Sequence, residues 1–198
     1  MARIGVLGGT FDPPHYGHLI LADFALHALG LEKVLFVPAG DPPHKRDTTR
    51  ESAEHRVSML ARALPDDPRF VISRADLDRP GPHYTIDMLA ILQEEHPEAA
   101  LHFVMGGDSL RDLPSWHHPE VLIERCTLAV MQRPNIEVHA HMHDDSLPGL
   151  ADRVVFIDAP LIGITASDVA RWIASGQSVR YLLPPLVLDY IEEHGLYR

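Results

Sequence analysis

A chain of 198 residues, 45% hydrophobic and 23% charged, is long enough for one domain with a full core and short for two, so a single domain over residues 1–198 is expected. Its 17 Lys and Arg against 28 Asp and Glu leave a formal charge of −11, a surface that repels nucleic acid and anionic membranes. No run approaches the roughly 18 consecutive apolar residues of a membrane span, so neither nucleic acid nor membrane is expected as a partner.

The apolar stretch at the N-terminus breaks at Gly8 and Gly9, too short for a secretory signal. The single cysteine, Cys126, has no internal partner for a disulfide, which points to a reducing cytoplasm. Composition leaves a homo-oligomer open.

Along the chain, the β-rich apolar run 4–7 predicts a strand, and 17–29, with apolar residues at i, i+3 and i+4, predicts a helix. The pattern repeats: strand 34–37, helix 52–64, strand 70–73, helix 85–95, strand 101–105, helix 119–124, strand 128–131. Residues 134–149, with the run HAHMHDD at 139–145, interrupt it as a surface excursion before strand 154–157. The tail is helical, at 167–174 and again at 184–193, with His194-Gly195 as a stop signal. Alternating strand and helix predict an α/β fold: a parallel sheet covered on both faces and built from right-handed crossovers. In such sheets ligands bind outside the carboxyl ends of the strands.

The first of those ends is GGTFDPPHYGH, residues 8–18. Gly8 and Gly9 let a ligand approach the main chain closely, and Pro13 and Pro14 stiffen the loop. His15 and His18 lie three apart at a helix start, on one side, with Gly17 removing a side chain between them. The positive end of that helix favours an anion. The stretch therefore reads as a phosphate cradle with two imidazole donors. It has neither G-x-G-x-x-G nor G-x-x-x-x-G-K-[ST], and H-x-x-x-H with an acidic helper is also missing, so a dinucleotide fingerprint, a P-loop and a zinc pair are not expected. Histidines with carboxylates at 139–145 suit a metal, but an acidic, histidine-rich surface loop is the commoner outcome, and no protein metal site is expected.

GTFDPPHYGH resembles the His-x-Gly-His signature of the nucleotidyltransferase superfamily of α/β phosphodiesterases. VPAGDPPHK at 37–45, AEHRVSML at 53–60, HYTIDML at 83–89, FVMGGDSLRDLPSWHHPEVL at 103–122 and the ending LLPPLVLDYIEEHGLYR resemble the bacterial nicotinate-nucleotide adenylyltransferases. The resemblance implies a Rossmann-like, doubly wound parallel sheet of five or six strands with a small C-terminal helical part over about 165–198. It also implies a reaction: the 5′-phosphate of nicotinate mononucleotide attacks the α-phosphorus of ATP, giving deamido-NAD and pyrophosphate.

On this resemblance His15, His18 and Lys45 carry catalysis, with His44 beside Lys45 as a helper. ATP falls to Gly8, Gly9, Thr10, Phe11, His15, His18, Gly106, Asp108, Thr165, Ser167 and Arg171. The nicotinate nucleotide falls to Lys45, Tyr84, Thr85, Trp116 and His117, with the Trp116 ring as platform for the pyridine. Mg²⁺ is expected as cofactor, held mainly by ATP phosphates and water. One place departs from the family pattern. The second phosphate motif runs roughly Ile-Ser-x-Thr-x-Ile-Arg, and here ITASDVAR at 164–171 puts Ala170 in the arginine slot. Arg171 follows one residue on, rotated by about 100° on a helix. Phosphopantetheine or nicotinamide mononucleotide as acceptor, and a non-catalytic nucleotide sensor, are the competing readings.

Overall fold

The computed structural model describes residues 1–40, 51–64 and 67–198. Among the described residues six strands form: β1 (Ala2–Gly9), β2 (Lys33–Pro38), β3 (Phe70–Ile72), β4 (Ala99–Gly106), β5 (Thr127–Met131) and β6 (Val154–Ile157). All pair in parallel in one sheet of order β3-β2-β1-β4-β5-β6. The helices are α1 (Tyr16–Ala28), α2 (Ala53–Ala63), α3 (Thr85–Glu95), α4 (Gly107–Asp112), α5 (Pro119–Arg125), α6 (Ala166–Ala174) and α7 (Pro185–His194). This is the parallel α/β sheet expected from the alternating pattern, in the Rossmann-like arrangement that the family resemblance implies.

Period-two alternation sorts the strands onto two faces. Ile4 and Val6 of β1 and Leu35 and Val37 of β2 face Met88, Leu89 and Leu92 of α3 and Leu122 and Ile123 of α5. Leu7 and Phe36 face the other way, with Leu21, Ala22, Ala25 and Leu26 of α1. Each fully buried leucine or phenylalanine contributes roughly 1.5–3 kcal/mol, which makes these two faces the main source of stability. A third cluster joins Met59 and Ala63 of α2 to Val169 of α6 and Val187 and Ile191 of α7, and so fixes the helical tail beside the sheet. No helix among the described residues is long and apolar enough to cross a membrane.

Local chemistry sets the helix ends. Ser52 Oγ accepts the His55 N–H at 3.2 Å to start α2, and Gly195, at φ 61°, stops α7 in the left-handed conformation that glycine adopts cheaply. Two elements differ from the sequence expectation. β1 continues through Gly8 and Gly9 because β2 supplies partners, Val37 and Pro38, beside them. The six-residue α4 was not expected, since it is too short to show a period. The 134–149 excursion exposes His141, yet Val138 and Leu147 bury into the core, so it is pinned to the sheet at two points.

Strand order reverses between β1 and β4: β2 and β3 lie on one side, β5 and β6 on the other. That reversal opens a crevice at the carboxyl ends of β1 and β4. Gly8 and Gly9 close one strand there and Gly106 the other.

Candidate active site

The crevice has two lobes that share a wall of Gly8, Gly9, Phe103, Asp108, Ser109 and Trp116. The first lobe, about 480 Å³, lies toward α3 and is lined by Tyr84, Thr85 and His117. The second, about 560 Å³, lies toward α1 and α6 and is lined by Thr10, His15, His18, Thr165 and Ser167. Each has the volume of a small-molecule site.

In the second lobe, His15 is the N-cap of α1 and His18 its third residue. The His15 N–H donates to His18 Nδ1 at 3.2 Å, and the two rings stack with centroids 3.8 Å apart. An Nδ1 that accepts leaves the His18 ring proton on Nε2, so this capping bond selects the tautomer. His15 is 2% exposed, and its Nδ1 has no hydrogen-bond partner among the described residues. Burial, aided by the nearby Arg133 charge, pushes its pKa down to about 4. Its imidazole is therefore neutral at pH 7 and offers a single N–H.

The amides at the start of α1 are largely engaged. Tyr16 N–H donates to the Leu182 carbonyl at 3.0 Å and His18 N–H to the His15 carbonyl at 2.9 Å. This wall of the lobe is thus made by side chains more than by a bare helix end. The N-terminus of α6 adds to the same wall. Thr165 Oγ1 caps it, accepting the Asp168 N–H at 3.1 Å, and Ala166 and Ser167 line the lobe. Gly17 leaves room for the His15 ring, because a Cβ there would lie 2.9 Å from Nδ1 and Cε1.

The depressed His15 pKa has a consequence for stability. A folded value of about 4 against the ordinary 6.5 means that the unfolded chain binds more protons between those pH values. His15 therefore costs nothing above pH 6.5, and stability falls as the pH drops toward 4, by about 3 kcal/mol in all. His15→Asn is expected to flatten the slope of unfolding free energy against pH in that window. An unchanged slope, measured by denaturant titration, would mean that His15 is not buried as a neutral ring.

Sequence reasoning missed Arg133, two residues past β5. Its Nε lies 2.9 Å from Asp108 Oδ1, an ion pair without hydrogen-bond geometry. The pair lies over Gly106, where a Cβ would come within 2.4 Å of the Asp108 oxygen and 2.7 Å of Arg133 Nε. Arg133 is the only Lys or Arg among the described residues of the second lobe. Its position just beyond a strand's carboxyl end was the available signal. Ala170 lines the lobe, whereas Arg171 stays outside the lining, ion-paired to Asp168 and 5.6 Å over the Trp172 ring. Lys45 and His44 lie outside the described residues.

The first lobe has aromatic walls. Tyr84 and His117 stack at 3.9 Å and 22°, and Trp116 meets Phe103 edge-on at 6.0 Å. Thr85 opens α3 on the same side. Three further residues went unnoticed in the sequence. Buried Asp76 accepts the Gly40 N–H at 3.0 Å and Arg79 Nη2 at 2.7 Å. Arg79 in turn donates to the carbonyls of Pro82 and Tyr84, at 2.8 and 3.1 Å, and so splints the segment leading into α3. His83 packs so closely on Gly40 that a Cβ there would lie 2.4 Å from its ring.

The model of the cytidylyltransferase-like family matches residues 6–171. A probable nicotinate-nucleotide adenylyltransferase of Thermomicrobium roseum is 48% identical over 198 residues, covering 100% of this chain and 92% of that protein. One from Thermus thermophilus is 42% identical over 196 residues, covering 99% of this chain and 100% of that protein. Among solved structures, the nicotinic acid mononucleotide adenylyltransferase of Plasmodium falciparum complexed with NaAD matches with a TM-score of 0.83. It is 20% identical, covers 100% of this chain and 98% of that chain, and shows the shared fold.

Proposed function

The chain belongs to the cytidylyltransferase-like family, among its nicotinate-nucleotide adenylyltransferases, and from that premise we propose how its cleft joins ATP to nicotinate mononucleotide. The observation that carries the reading is the shared wall: an imidazole-lined lobe and an aromatic lobe meet along Gly8, Gly9 and Asp108. In this reading two anionic nucleotides meet there, phosphate to phosphate.

The attacking group is an oxygen of the mononucleotide's 5′-phosphate, largely dianionic near neutral pH because its second pKa is about 6. It forms a bond to the α-phosphorus of ATP as the bond from that phosphorus to the bridging oxygen breaks, and pyrophosphate leaves. No general base and no protein nucleophile are required. The protein's work is to offset anion–anion repulsion, align the reactants and stabilise charge on the leaving group.

In this reading His18 Nε2–H and His15 donate to phosphate oxygens, joined by Thr10 and the amides around Gly9 and Phe11. The α6 start, at Thr165 and Ser167, faces the rest of the triphosphate, Arg171 joins it by leaving its partner Asp168, and Lys45 brings charge from its own segment. Gly106 and Asp108 take the adenosine. Mg²⁺ fits as an ion carried by the nucleotide, since both carboxylates lining the lobe are already engaged, Asp108 with Arg133 and Asp12 with the Tyr197 hydroxyl and the Glu51 N–H; when bound it would neutralise charge on the phosphates. The buried Cys126 thiol, pushed up to about 12 by desolvation, stays unreactive and suits a cytoplasmic protein.

Trp116 supplies a flat face for the positively charged pyridine ring, an attraction of roughly 0.5–2 kcal/mol. Thr85 and His117, with Tyr84 behind them, meet the ring's carboxylate. Trp116→Ala is therefore expected to raise KM for the mononucleotide by about twofold to thirtyfold, the equivalent of that energy, while KM for ATP moves little. Equal rises in both would reassign Trp116 to packing. Direct displacement is tested by the stereochemistry of turnover with a chiral α-phosphorothioate of ATP. Inversion at the α-phosphorus is expected, and retention would contradict a single in-line step.

A further inference from the structure

At the foot of the phosphate turn, a group of hydrogen bonds joins distant parts of the chain to which the reaction above assigns no role. Asp12 lies between β1 and α1, one residue past Phe11, whose φ is 51°. Asp12 Oδ2 accepts the Glu51 N–H at 3.2 Å, and Oδ1 accepts the hydroxyl of Tyr197, 185 residues away in sequence. The Tyr197 N–H donates to Glu51 Oε1 at 3.2 Å, which closes a triangle of three residues. Arg56, 3% exposed, donates to the carbonyls of Thr10, Ala39 and Glu51 at 2.8, 2.9 and 3.3 Å.

Tyr197 reaches this place at a conformational cost. Its φ is 61°, the left-handed region, which costs an ordinary residue roughly 1–2 kcal/mol. Buried Leu196 anchors the tail just before it, and the bonds to Asp12 and Glu51 hold the strained residue. Burial and the neighbouring Asp12 carboxylate push the phenol's pKa up, so it remains a donor. Tyr197 also lines the second lobe, alongside His15, His18 and Thr165.

We propose that Tyr197 is a positioning residue for adenylyl transfer: its hydroxyl and backbone N–H tie Asp12 to Glu51 and hold the Thr10–Phe11 turn in the pose that meets the phosphates. The inference rests on the adenylyl-transfer reading of the cleft. Glu51 directly follows the segment 41–50 that carries Lys45, so the tie joins the phosphate turn to the end of that segment. The C-terminal tail thereby acts on the reaction without touching the reacting atoms.

Tyr197→Phe deletes the hydroxyl while keeping the ring and the backbone N–H. It is expected to lower kcat by about tenfold, since a displacement of about 1 Å costs on the order of a hundredfold. Asp12→Asn is expected to lose at least as much, since it also disturbs the bond from the Glu51 N–H, and the double variant to lose no more than Asp12→Asn alone, because the Tyr197 hydroxyl acts only through Asp12. ATP affinity, read by calorimetry on the same four proteins, is expected to follow the same non-additive pattern. That second readout decides the tie even if turnover with nicotinate mononucleotide fails, so failure of the tie and failure of the reaction reading are distinguishable. Parent-like kcat and ATP affinity in Tyr197→Phe would overturn the proposal. Additive losses would overturn it as well, since Tyr197 would then touch the nucleotide itself. So would a loss explained wholly by fewer active sites on titration, the mark of a purely structural residue.

Discussion

Removing the His18 imidazole lowers kcat by about a hundredfold to a thousandfold, the range observed when one preorganised donor to a developing charge is deleted. The expectation follows from the bond between His15 N–H and His18 Nδ1, which leaves Nε2–H as the ring's donor. His18→Ala also deletes the acceptor of that capping bond, so it lowers stability by about 1 kcal/mol. His18→Asn separates the two effects: its side-chain oxygen accepts from His15 N–H, and its shorter reach abandons the phosphate. Both variants should lose turnover, and only the alanine variant should melt earlier. Activity retained in His18→Asn would show that His18 serves the helix end alone.

Gly106→Ala is expected to raise KM for ATP by about tenfold or more, because positioning errors on the order of 1 Å are costly in this chemistry. The backbone there, at φ −82° and ψ 162°, accepts any L-residue, so folding should proceed normally. The added Cβ would lie 2.4 Å from Asp108 Oδ1 and 2.7 Å from Arg133 Nε, closer than real contacts allow. Carboxylate and guanidinium must then part or swing into the lobe. A variant with an unchanged melting temperature and a raised KM for ATP places the pair at the nucleotide. A parent-like KM for ATP would show that the pair lies clear of it.

The parts of this molecule that were legible in its sequence are those governed by local period and turn chemistry. The sheet follows from apolar runs separated by amphipathic ones, and helix 17–29 falls within one residue of the observed α1 at each end. The extension of β1 through Gly8 and Gly9 was not legible, because glycines read as turn and only the neighbouring strand makes them strand. The imidazole pair was legible from spacing and composition. Its protonation was not, because the His15 shift comes from burial and from Arg133, 118 residues away.

The same limit explains the residues that went unseen. Arg133 is unremarkable in MQRPN until the sheet brings it to Asp108. Asp76 and Arg79 look like surface charges in RADLDRP, although the structure buries the aspartate and uses the arginine to hold the Tyr84 carbonyl. Tyr197 lies one residue from the chain's last position and yet reaches the first turn. Ala170 was visible as a departure from the family pattern, and Ala170 is the residue that faces the lobe while the Arg171 side chain pairs with Asp168.

The most direct test of the account is pyrophosphate release from ATP and Mg²⁺ with three acceptors side by side: nicotinate mononucleotide, nicotinamide mononucleotide and phosphopantetheine. A kcat/KM for the nicotinate compound well above the other two, with deamido-NAD formed in step with pyrophosphate, is the predicted result. Release with phosphopantetheine at an equal or higher rate, or with none of the three from a protein that binds ATP, would contradict it.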